Sequence, residues 1–121
     1  MKNRLIMNIE ELREYCLSKS NTTESFPFDL ETLVFKVNGK IFALTSLDTA
    51  ELTINLKCDP ERAVELREQY SCIIPGYHMN KIHWNTVIIN GILSDQQIRE
   101  LIDHSYELVS LGLRVKRSPN K

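Results

Sequence analysis

Pro75-Gly76-Tyr77-His78-Met79-Asn80-Lys81-Ile82-His83-Trp84, followed by Asn85-Thr86-Val87-Ile88-Ile89-Asn90, holds the only tryptophan and two of the three histidines of the chain. The run after Trp84 reads as a strand, because Thr, Val and Ile fit a pleated, half-buried surface. Pro75-Gly76 predicts a type II turn, since proline presets the first central angle and glycine accepts the positive φ of the second. A short strand over Tyr77 to Lys81 and a longer one over Trp84 to Asn90 then make a hairpin. With Asn80 and Lys81 in its turn, Tyr77 faces Trp84 and His78 faces His83.

Downstream, Asn90-Gly91 closes the strand, and Ser94 with Gln97 forms a capping box in which each residue satisfies an orphan amide of the other. Ile98, Leu101, Ile102, Ser105 and Val109 follow at helical spacing, and Gly112 stands where a C-terminal cap belongs. Upstream, Asp59-Pro60-Glu61 combines an N-cap, a proline at the first helical position and a first-turn acid, so a helix runs from there to about Tyr70. Leu33 to Val37, Lys40 to Thr45 and Leu52 to Lys57 alternate with period two, and Asn38-Gly39 is a strong hairpin signal because both residues tolerate positive φ. These three form an antiparallel meander. Asn8 and Glu11 make a further capping box, opening a helix from about residue 8 to about residue 18. Ser20 to Glu31 reads as a loop anchored by Phe26 and Phe28.

A chain of 121 residues, 42% hydrophobic and 26% charged, suffices for one domain with a real core, expected to span 1–121. Fifteen basic against sixteen acidic side chains leave a formal net charge of -1, which argues against strong nonspecific nucleic-acid binding. Residues 113–121 are locally basic and read as a solvated, frayed tail. Cys16, Cys58 and Cys72 are odd in number and show no C-x-x-C pattern, so a reducing cytoplasm is the expected location. No segment reaches the length of a membrane span.

No catalytic signature emerges. Nothing in the spacing brings His104 to the hairpin that carries His78 and His83, Ser105 falls on the apolar stripe of its helix, no cysteine has a histidine or glycine-rich elbow nearby, and neither a Walker loop nor G-x-G-x-x-G is present. The expectation is a non-enzymatic protein without cofactor or metal. The remaining candidates are polar and aromatic: Tyr77, His78, Asn80, Lys81, His83 and Trp84 offer phosphate donors and a stacking ring. Lys36 and Lys40, flanking Asn38-Gly39, add a second basic hairpin, although lysines there also serve solubility and edge protection.

The order of elements, the run Asn80-Lys81-x-His83-Trp84, the segment Leu56-Lys57-Cys58-Asp59-Pro60 with Leu66-Arg67, and Asp103-His104-Ser105-Tyr106 resemble the MmcQ/YjbR-like family of small bacterial proteins. The resemblance covers nearly the whole chain. It implies an α+β fold of two layers, with an antiparallel sheet in the order α-β-β-β-α-β-β-α, similar to secretion chaperones and to frataxin-like (CyaY-like) proteins. It also implies binding of double-stranded DNA through paired hairpin wings, with Asn80, Lys81 and His83 as contact residues; the hairpin reading adds Lys36 and Lys40, and the near-neutral charge makes the expected binding weak and salt-sensitive. Tyr77, Trp84, Ser105 and Tyr106 are then structural motif positions. The alternatives are a protein-interaction module of the secretion-chaperone type, acting as a monomer or weak homodimer, and a small-ligand binder with a pocket beside Tyr77 and Trp84.

Overall fold

The structure, a computed structural model, describes residues 6–76 and 79–112. Its elements are α1 (Ile9–Leu17), β1 (Thr22–Ser25), β2 (Thr32–Val37), β3 (Lys40–Ser46), β4 (Thr53–Lys57), α2 (Pro60–Gln69), β5 (Ile73–Pro75), β6 (Trp84–Ile88) and α3 (Asp95–Leu111). The six strands form one antiparallel sheet in the spatial order β1-β2-β3-β4-β6-β5. The fold is α+β, with the helices laid on the sheet face that carries Leu33, Phe35, Val37, Ile54, Leu56 and Val87. Leu12 and Cys16 of α1, and Ile98, Leu101, Ile102 and Val109 of α3, close that core. At roughly 1.5–3 kcal/mol for each large apolar side chain removed from water, this face is the main source of stability.

Local chemistry sets the element ends. Asn8 and Glu11 form the reciprocal box at the start of α1, and Ser94 and Gln97 do the same for α3. Asp59 caps α2, with Pro60 at its first position. Asn38 and Gly39 both adopt positive φ, 52° and 83°, which gives the β2–β3 hairpin the twist its strands require. Gly112 caps α3 at φ 67°.

Phe26 and Phe28, read as loop anchors, are 44% and 65% exposed, and the structure also corrects the sequence reading of two segments. Thr22–Ser25, read as loop, is an edge strand paired with β2 from Thr22↔Val37 to Ser25↔Val34. It carries no apolar alternation, so only the neighbouring strand identifies it. The second correction concerns Pro75-Gly76, which is not a type II turn: β5 is Ile73–Pro75, and Gly76 has no positive φ. The Gly76 N–H donates to Trp84 O at 3.0 Å, continuing the ladder that pairs Pro75 with Asn85. Trp84 therefore stands opposite Gly76 in place of Tyr77. A Cβ on Gly76 would lie 3.0 Å from the Trp84 Cβ and 3.1 Å from its carbonyl oxygen, so the glycine answers to close approach and not to backbone handedness. Met79, Asn80 and Lys81 do not belong to a strand; Tyr77 and His78, the rest of that expected strand, lie outside the described residues, as do residues 113–121.

Between β3 and β4 the ladder is short. Only Ala43↔Leu56 and Leu44↔Asn55 are paired, and Phe42 is passed over where the β2–β3 register slips beside Phe35 and Lys36. Side-chain hydroxyls extend the join on both sides. Thr45 Oγ1 donates to Thr53 O at 2.5 Å, and at the other end Ser105 of α3 reaches in.

Candidate functional site

The antiparallel order places three connections at one end of the sheet. β3 begins at Lys40, β4 ends at Lys57, and β6 begins at Trp84, which pairs with Lys57. The Asn38-Gly39 turn, the β4–α2 junction and the turn leading into β6 are therefore neighbours.

The junction is built by three consecutive amides, each donating to a different acceptor. The Lys57 N–H donates to Ser105 Oγ at 2.9 Å, the Cys58 N–H to His83 O at 2.8 Å, and the Asp59 N–H to His104 Nε2 at 3.1 Å. Ser105 Oγ in turn donates to Phe42 O at 2.5 Å. As an acceptor, His104 Nε2 must be unprotonated. Burial and the nearby Arg62 guanidinium push the His104 pKa down, against the opposing pull of Asp59 and Glu107.

The other members of the 103–106 run are equally engaged. Asp103 accepts from Tyr15 Oη at 2.6 Å and pairs with the Lys19 ammonium. Tyr106 donates from its hydroxyl to Ser20 O at 2.6 Å and sets its ring edge against Phe42, with centroids 5.3 Å apart. The tetrad Asp103-His104-Ser105-Tyr106 thus ties α3 to α1, to the start of β1 and to both strands beneath it.

The turn before β6 has its own organiser. Asn80 Oδ1 accepts from the Ile82 N–H at 2.8 Å, and Asn80 O accepts from the amides of His83 and Trp84 at 3.2 and 2.9 Å. Asn85, buried at the foot of this strand, is held by Arg67 Nη1 at 2.7 Å and donates to Ala63 O. Trp84 is buried as well, but stands apart from the core cluster that α3 shares.

Of the contact residues expected from sequence, Lys40 and His83 line one cleft of about 170 Å³. Lys57, which the sequence reading noted only within a motif, joins them there, with Ile41, Leu108 and Val109. Asn80 and Lys81 occupy the exposed turn immediately before His83. Lys36 does not line the cleft: it sits within β2, paired with Thr23 and Ile41. Lys57 could have been found by asking which residue ends the strand before the Asp59 cap, because that position faces the hairpin tips.

The thiols are poor nucleophiles at neutral pH. Burial pushes Cys16 up to about 12 and Cys58 up to about 11, in the latter case against the lowering influence of Arg62.

The comparisons with known proteins agree with this architecture. The uncharacterized protein YjbR of Escherichia coli K12 is 39% identical over 101 residues, covering 84% of this chain and 86% of its own. The uncharacterized protein YbdF of Escherichia coli O157:H7 is 44% identical over 88 residues, 73% of this chain and 72% of that one. The crystal structure of Deinococcus radiodurans protein DR2400 superposes with a TM-score of 0.83 at 40% identity, covering 90% of this chain and 83% of that one. The sequence model of the YjbR family matches residues 17–108, and the chain belongs to that family.

Proposed function

We propose that the protein is a non-enzymatic DNA-binding protein that meets the phosphate backbone with the sheet end carrying both hairpin tips. One observation carries the reading: Lys40 of β3, Lys57 of β4 and His83 of the turn before β6 line a single cleft beside the Asn80-Lys81 turn. Ammonium groups bind phosphate as point charges and release counterions, which supplies sequence-independent affinity. On this reading the contacts are to phosphates, which position the duplex without reading its bases. With a net charge of -1 the interaction is local and weak at physiological salt. The partner on this reading is a duplex; a cytoplasmic location, argued from the unpatterned cysteines, and a monomer or weak homodimer are proposed with it.

The test is the salt dependence of duplex affinity by fluorescence anisotropy. Contacts from Lys40, Lys57 and Lys81 predict a log–log slope of about -3, and Lys81→Glu should flatten it by about one unit. A slope near zero would sink the proposal.

A second reading has an observation of its own. Phe28 and Leu30, in the β1–β2 connection, are 65% and 88% exposed, an apolar surface suited to a protein partner of the kind that a secretion-chaperone or frataxin-like likeness implies. Its affinity would be insensitive to salt, and Phe28→Ser with Leu30→Ser would abolish it.

A further inference from the structure

The hairpin end offers a recess as well as a surface. The cleft of about 170 Å³ is walled by Lys40 and Ile41 at the start of β3, Lys57 to Pro60 at the β4–α2 junction, His83 before β6, and the last turn of α3. That is below the roughly 300–1,000 Å³ of sites that enclose drug-sized ligands, so neither a base pair nor a bulky cofactor fits inside. A single phosphate group does.

An internal phosphodiester is tethered to the chain on both sides and carries one charge, so it can only lie across the mouth of such a recess. A terminal phosphomonoester has one tether, a charge of about -1.5 to -2 at neutral pH and three strong acceptor oxygens. Lys40, Lys57 and His83 line the recess and are the residues assigned here to meet those oxygens, and Ile41, Leu108 and Val109 line it beside them to contact the attached sugar. Asp59 also lines the recess, but its carboxylate is turned to the Arg62 amide it caps, at 3.4 Å.

We infer that this cleft receives the terminal phosphomonoester of a DNA strand, so that the protein favours phosphorylated ends over continuous backbone. The inference rests on the DNA-binding reading and adds the class of DNA. The shared chemistry would also admit a free nucleoside monophosphate, and the test separates the two.

The full chain is titrated with two short duplexes of one sequence, differing only in 5′-phosphates, and with a deoxynucleoside monophosphate, following backbone amides. The phosphorylated duplex should bind about tenfold more tightly, the worth of one further charge-assisted hydrogen bond. Lys40→Ala with Lys57→Ala should erase that difference, whereas Lys81→Ala, outside the cleft, should weaken both duplexes alike. Equal affinity for the two duplexes overturns the inference and leaves the DNA reading standing. If neither duplex binds, the DNA reading falls, and the monophosphate decides the cleft: shifts at Lys57, Cys58 and His83 retain it as a phosphomonoester site fed by free nucleotide, and their absence overturns it.

Discussion

The Ser105 hydroxyl accepts the N–H of Lys57 at 2.9 Å, a bond that a neighbouring strand would ordinarily supply. Because the same oxygen donates to Phe42 O, one helix side chain completes the join between β3 and β4 where their ladder stops. The hydroxyl is fully buried, so water cannot replace it. Ser105→Ala would leave an amide and a carbonyl without partners, and the loss should be about 2–4 kcal/mol. Urea unfolding should show the midpoint falling with the slope unchanged.

His104 makes the same junction sensitive to acid. Its pKa is lowered in the folded protein, so from 6.5 downward the unfolded chain takes up the proton first and stability falls with decreasing pH. Well above 6.5 both states are neutral and the group contributes no slope. Protonation would also set an N–H against the Asp59 N–H it now accepts. His104→Gln, whose amide oxygen can accept that bond, should show a smaller stability loss between neutral pH and pH 5 than the wild type, measured by denaturant midpoint. An equal loss in both proteins would place the acid sensitivity elsewhere.

Gly76→Ala tests the approach of β5 to β6. The added Cβ would meet the Trp84 backbone as well as its side chain, at 3.0–3.2 Å, and backbone atoms cannot swing aside. Overpacking of this kind should destabilise by about 1–3 kcal/mol. Trp84 is the only tryptophan, so its fluorescence should shift in the variant and report the displacement directly.

The bidentate pair between Arg13 and Glu24 makes a contrasting prediction. Arg13 Nε donates to Glu24 Oε1 at 2.7 Å across the α1–β1 gap, and the guanidinium holds the Glu24 carboxyl below its usual range. Half of the Arg13 side chain is exposed and solvent screens the pair, so Arg13→Ala should lower the urea midpoint far less than loss of the Ser105 hydroxyl does.

Most helices and the β2-β3-β4 meander were legible from sequence because their signals are local: capping boxes at Asn8 and Ser94, the Asp59-Pro60 start, the Asn38-Gly39 turn and alternating apolar residues. β1 was not legible, since Thr22 to Ser25 has no pattern of its own and becomes a strand only beside β2. Pro75-Gly76 carries a turn signature that is overridden by the ladder to Trp84. Ser105 could be placed on the apolar stripe of α3, but the reason for a hydroxyl there appears only once the gap between Phe42 and Lys57 is seen. At the candidate site, Lys40 and His83 were candidates from hairpin chemistry and the family motif. Their meeting with Lys57 depends on the strand order, which no local pattern encodes.

The central claim is that the sheet end bearing Lys40, Lys57, Lys81 and His83 binds DNA phosphates. Its most direct test is a backbone amide NMR titration with a short mixed-sequence duplex, at low salt and again near physiological salt. Shifts centred on Asn38 to Ile41, Lys57 to Asp59 and Asn80 to His83, fading as salt rises, are the predicted result. No shifts at low salt, or shifts confined to the Phe26 to Leu30 connection, would contradict it.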